Sequence, residues 1–252
     1  MWRSAWAGGA VFLVTGVLWV AWDPLLALRD VGHLGTASPD WREARERLVQ
    51  RGRGALHPLR HGLDSHDPVQ RLRCAQALAL LGEDKSDRVL LAALRDAPPV
   101  EARAAAELLR ELWYRRNGPS WERARALRDA PKRDTKIDES LDLCLAQYYT
   151  WAGGYLLRAE RRLSQDEPRL ALRDALSALL LEPDHFDGML LLGQIYEKLG
   201  LPELGVECLR HALQINPGLK SEREPDLERL RAAAQMERER RLKARYLDLP
   251  LL

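Results

Sequence analysis

The strongest constraint in this sequence is a spacing of 34 residues. From Phe186 to Leu219 the chain reads FDGMLLLGQIYEKLGLPELGVECLRHALQINPGL. Two apolar patterns at helical spacing flank a tight turn at Leu199-Gly200-Leu201-Pro202. The first carries Leu192, Gly193 and Tyr196; the second carries Leu209, Ala212 and Leu213; Pro217 closes the unit. Ala152 to His185 matches it 34 residues earlier: Ala178 corresponds to Ala212 and Pro183 to Pro217, with Ala171 and Ala175 at the small positions of the second helix. The first helix of the earlier copy departs, with Tyr155 at its bulky position and Arg158, Ala159 and Arg162 where the later copy has Leu192, Gly193 and Tyr196. The helix expected over Asp138 to Tyr149 can supply half of a further unit. A helix pair this short cannot bury its apolar face alone, and stacked copies bury it against one another.

The order Met189, Leu192-Gly193, Tyr196, Gly205, Leu209, Ala212, Pro217 resembles a tetratricopeptide (TPR) repeat, with Met for the family's Trp and Gly for its Ala at the helix crossing. The resemblance implies helix pairs stacked into a right-handed superhelix. It also implies a groove for a peptide or partner helix, lined by inward positions of each first helix. Those positions are Leu156 and Glu160 in the earlier copy, and Asp187, Leu190, Gln194 and Lys198 in the later one. Chaperone-binding members of the family hold a terminal carboxylate there with Lys and Asn. Here Leu156 and Leu190 occupy one clamp position, and Glu160 and Gln194 the next. The carboxylate clamp is absent, and a partner segment of mixed apolar and polar character is expected instead. Leucine at such positions is also what ordinary packing would place there. If the groove binds, Leu190→Arg is expected to abolish binding and leave helicity intact.

A second period, of 31 residues, runs through the first half: Val69 and Val100, Leu59 and Leu90, Leu63 and Leu94, Leu78 and Leu109, Leu81 and Leu112. Turns at Asp64 to Pro68 and Arg95 to Pro99 separate a shorter helix from a longer, alanine-rich one. HDPVQRLRCAQALALLG resembles a short HEAT-like repeat; APPVEARAAAELLREL keeps the valine, alanines and leucines and loses the aspartate. Residues 41 to 53 read as a degenerate first copy. Some short HEAT-like families resemble lyase subunits of pigment proteins, which leaves a regulatory or cofactor-lyase-like subunit as an alternative resting on fold analogy alone.

No charged residue lies between Ser4 and Trp22. As a helix this run would span roughly 27 Å, close to a bilayer's hydrocarbon core. Trp2 and Trp6 at one end, and Trp19 and Trp22 at the other, suit the headgroup level. The expectation is a retained single-pass anchor. The alternatives are a signal sequence whose removal leaves an exported soluble protein, and a buried core helix. Charge asymmetry leans weakly toward the solenoid lying on the translocated, extracytoplasmic side. Val31 to Pro39 reads as linker. Ser38-Pro39-Asp40-Trp41 reads as a helix start, with a capping residue, proline in the first turn and an early acid.

Charged residues make up 30% and aromatics 6% of 252 residues, a composition suited to stacked amphipathic helices. The formal net charge of +2 argues against nucleic acid as a partner. Cys74, Cys144 and Cys208 lie far apart in apolar helical contexts and read as buried small residues. His57 and His61 share a helical spacing, but no acid or cysteine completes a metal set with them and His66. The chain has no nucleophile elbow, phosphate loop, dinucleotide fingerprint or HExxH. No catalytic, cofactor or metal site is therefore expected, and no small-molecule substrate.

The expected fold is all-α: a right-handed α-solenoid of HEAT-like and TPR helix pairs behind one N-terminal transmembrane helix. The segments are an anchor over 1–22, a linker over 23–40, HEAT-like repeats over 41–117, a helical junction over 118–151, two TPR repeats over 152–219 and a C-terminal capping helix and tail over 220–252. In that tail Leu227, Leu230, Ala234 and Leu242 form a thin apolar stripe. The function expected is a non-catalytic, membrane-anchored adaptor that binds other proteins within a cell-envelope assembly and touches the bilayer through residues 4–22.

Overall fold

A computed structural model describes residues 25–35, 38–83, 86–131 and 134–247. Within them every regular element is helical, so the fold class is all-α. The uncharged run 4–22 lies outside the described residues. Among the described residues no helix is long and apolar enough to cross a membrane. The chain divides into two compact units, Met1–Ala93 and Leu94–Leu252.

The first unit contains α1 (residues 25–32), α2 (Trp41–Gln50), α3 (Leu56–Gly62), α4 (Pro68–Leu80) and most of α5 (Asp87–Asp96). Here the structure departs from the expected linker over 23–40. Residues 25–32 are helical, and Ala27, Val31 and Leu34 join Ala44, Leu48, Leu59, Cys74 and Leu78 in one core. The reason is a stripe of spacing three and four, Ala27, Asp30, Val31 and Leu34, all buried. Asp30 is fully buried and accepts hydrogen bonds from Arg47 (3.0 and 3.2 Å) and Arg51. Burial alone would raise its pKa, but the two guanidiniums outweigh that and hold it below the ordinary carboxylate value. Gln70 donates to the Val31 carbonyl (2.8 Å) and Arg73 to those of Leu34 and Gly35 (3.1 and 2.8 Å), stitching α1 to α4. The guanidiniums of Arg42, Arg45 and Arg73 all lie over the Trp41 ring, within 5.3 Å of its centroid.

Side-chain caps are present at some helix starts and missing at others. Asp67 caps α4 by accepting the Val69 N–H (2.9 Å), with Pro68 at the first position, where its missing donor costs nothing. By contrast, α2 begins at Trp41 with Asp40 as its capping residue, two positions after the expected Ser38, and Asp40 makes no side-chain cap. Ser120 precedes Trp121–Asp129 and likewise makes none. Pro58 sits in the first turn of α3 rather than interrupting it.

The second unit holds α6 (Pro99–Arg115), α7 (Trp121–Asp129), α8 (Thr135–Gln147), α9 (Ala152–Ser164), α10 (Pro168–Leu181), α11 (Phe186–Lys198), α12 (Pro202–Ile215) and α13 (Lys220–Leu247). The division falls at 93/94, inside the segment 41–117 where repeats are expected, and α6 lies in this unit. Its aromatic end explains this. Trp113 stacks on His185 (centroids 4.7 Å apart) and Phe186 (5.5 Å), and the Tyr114 carbonyl accepts the Trp151 indole N–H at 2.7 Å. Four of the five 31-residue correspondences share a buried or half-buried setting; the fifth does not, because Val100 is 77% exposed.

Gly153 and Gly154 do not break the chain; they form the first turn of α9. Their small size is required there. A Cβ on Gly153 would lie 2.8 Å from the Tyr114 backbone, and one on Gly154 would enter the Trp151 ring. Between α11 and α12 the same logic sets the crossing: a Cβ on Gly205 would stand 3.0 Å from the Gly193 carbonyl oxygen. In the earlier copy the equivalent positions are Ala159 and Ala171, both fully buried.

The departures in α9 have a partner in α10. Arg158 and Arg162 hold the nearly buried Asp174 at 2.8, 2.9 and 2.6 Å, and Arg158 also reaches Asp142 at 2.6 Å. Thirty-four residues later the three positions are Leu192, Tyr196 and Cys208, which pack in one apolar cluster. One copy therefore closes its helix pair with an ion triad and the other with hydrocarbon and sulfur.

Along α13, Leu227 and Leu230 cover Val206 and Leu209 of α12, and Ala234 is also buried. Leu242, expected in the same stripe, is 54% exposed.

Candidate functional site

Two hollows, each of about 480 Å³, adjoin on the second unit and share Glu160, Asp187 and Leu191. Leu156 lines the first and Leu190 and Gln194 the second. Five of the six positions carried over from the repeat pattern thus meet along one groove. The sixth, Lys198, is exposed, lines neither hollow and lies 3.8 Å from Asp166.

The five differ in what they can offer a ligand. Glu160 and Gln194 are exposed, and Leu156 is 7% exposed, part of the floor. Asp187 is engaged by Arg110, whose guanidinium approaches both carboxylate oxygens (2.7 and 3.2 Å) and lies over the Phe186 ring (4.9 Å). Leu190 is half-buried and packs against Val206, Leu209, Leu227 and Leu230. Leu190→Arg is therefore no neutral probe, since a charge there must leave that cluster or disrupt it.

The groove also draws on residues outside the 34-residue pattern. Glu107, Arg110, Glu111 and Tyr114 come from α6, His185 from the turn before α11 and Arg223 from α13. A 34-residue period cannot place helices from outside it beside the groove. His185 carried a signal of its own, a polar residue immediately before an apolar helix. It caps α11 by accepting the Gly188 N–H through Nδ1 at 3.2 Å, so the neutral ring carries its proton on Nε2. Burial pushes its pKa down to about 4. Nε2 makes no hydrogen bond to a described residue and borders the first hollow, where it can donate to a bound carbonyl. The Nε–H of Arg223 is buried without an acceptor beside the second hollow.

His57, His61 and His66 are exposed, and among the described residues no three His, Cys, Asp or Glu side chains converge as metal ligands. Burial raises the thiol pKa of Cys74 to about 12 and of Cys208 to about 11, so neither is a reactive thiolate at neutral pH.

The chain matches no family model, no curated protein and no solved structure in the comparisons made.

Proposed function

We propose that this chain is a non-catalytic adaptor, anchored through residues 4–22, whose stacked helix pairs form an α-solenoid that binds a protein segment. In this reading α9–α10 and α11–α12 are TPR units, α3–α4 and α5–α6 are HEAT-like, and α13 caps the free end. The observation that carries it is the meeting of Leu156, Glu160, Asp187, Leu190 and Gln194 along one groove. Its floor is leucine and its lining carries Glu107, Glu111 and Glu160 together with Arg110 and Arg128. A segment of mixed apolar and polar character fits this lining. The His185 ring, on the lining of the first hollow, suits a backbone carbonyl of such a segment.

The test is a photo-crosslinking residue at Gln194 in the full chain in its native membrane, with the same residue at Leu180, which is 84% exposed and borders neither hollow, as the comparison. One protein should be captured from position 194 and not from 180, and capture should fail in Glu160→Arg. Equal capture from both positions, or capture unaffected by Glu160→Arg, would remove the groove from the reading. Urea denaturation of Glu160→Arg separates lost binding from lost folding. Leu190→Arg should cost about 2 kcal/mol, so lost binding in that variant alone would not discriminate.

A further inference from the structure

We infer that the first unit rests directly on the bilayer surface, with the outward face of α1 in the headgroup layer; this rests on the anchor reading above. Three observations carry it. The first is distance. A linker over 23–40 could extend to about 60 Å, which would let the folded part stand well clear of the membrane. Since α1 is already folded into the core by Leu25, only Asp23 and Pro24 separate Trp22 from it. Three Cα steps cover at most about 11 Å. A headgroup layer is roughly 5–7 Å deep on each side.

The second observation is rigidity. The Asp30 carboxylate, with no exposure to solvent, is held by Arg47 and Arg51 of the α2 region, and α4 donates to the carbonyls of Val31, Leu34 and Gly35. These bonds leave α1 no freedom to swing away from the unit it belongs to. The third is the face itself. Ala27, Asp30, Val31 and Leu34 point inward. Leu25 (64% exposed), Leu28 (47% exposed), Arg29 and Gly32 share the outward face at spacings of three and four. Leucines facing outward where an uncharged run ends, with a cation beside them, match an interfacial helix on anionic lipid. The occupant of this face is the bilayer, not a protein partner.

The experiment uses the full chain in phosphatidylcholine–phosphatidylglycerol vesicles. An environment-sensitive fluorophore is placed at Leu28→Cys in a Cys208→Ser background; Cys74 and Cys144 are fully buried and will not react. Gln194→Cys is the aqueous comparison, and Arg29→Cys, on the same face, replaces Leu28→Cys if that variant misfolds by circular dichroism. The expected result is blue-shifted emission at position 28, quenching by a headgroup-attached spin label, and several-fold less quenching by iodide than at position 194. Protein that stays with the vesicles while position 28 is open to iodide overturns this inference and leaves the anchor standing. Protein that leaves the vesicles at high salt overturns the anchor and this inference with it. A label shielded from iodide and from the lipid quencher alike means that protein covers the face, either residues 1–24 or a second copy, and overturns the inference as well.

Discussion

His185 shows how much one side chain can hold. Its Nδ1 caps α11, its ring stacks on Trp113, and its Nε2 borders the groove. An added proton would have to sit on Nδ1, where it displaces the Gly188 N–H. In the folded chain the pKa is about 4, below the ordinary 6.5, so the unfolded chain takes up the proton first as pH falls. The neutral ring's contribution is complete above pH 6.5 and is lost as pH falls through 4. It amounts to about 3 kcal/mol at most. Urea denaturation across this window should show that slope, and His185→Asn, which keeps a capping acceptor but does not titrate, should flatten it. A slope equal in both proteins would assign the acid sensitivity to carboxylates. The sequence marked position 185 only as the residue before a helix. Its burial comes from Trp113, 72 positions away in the chain, and no local pattern encodes that contact.

At the scale of the element, the two 34-residue copies solve the same packing problem with different chemistry. Arg158 and Arg162 look like flaws in the earlier first helix until Asp174 is placed between them. Removing Asp174 alone leaves Arg158 with Asp142 only and takes the buried carboxylate from Arg162, and Asp174→Ala should cost about 2–3 kcal/mol. Copying the later solution, Arg158→Leu with Arg162→Tyr and Asp174→Cys, should be neutral or stabilising by about 1–4 kcal/mol. Guanidinium denaturation measures both. If the triple variant proves as unstable as Asp174→Ala, the two copies are not interchangeable. The pair α9–α10 was legible from its alanines and Pro183, and so was α11–α12. The triad was legible only in hindsight, because three positions had to change together for the substitution to make sense.

For the whole molecule, the expectation that failed was the linker over 23–40. Two Gly, Thr, Ser and Pro point to a linker after Trp22; the buried stripe overrides them because Asp30 pairs with Arg47 of α2 and with Arg51 just after it. Asp30→Ala should lower the stability of the first unit by about 3–5 kcal/mol, seen as faster amide exchange in α1 and α2. Protection unchanged in that variant would mean that the apolar stripe alone holds α1. The compact units divide at 93/94, within the segment 41–117: α6 has the periodicity expected there, yet its aromatic end is packed against the start of α9 and the start of α11.

By itself the sequence determined that the described chain is helical, because spacings of three, four and 34 are local or strictly periodic. Only the tertiary structure decided which helices from outside the period complete that groove, that Asp187 is already held by Arg110, and that α1 is part of a core. Each of those depends on contacts between residues far apart in the chain, where charge pairing and aromatic packing, not periodicity, select the partner.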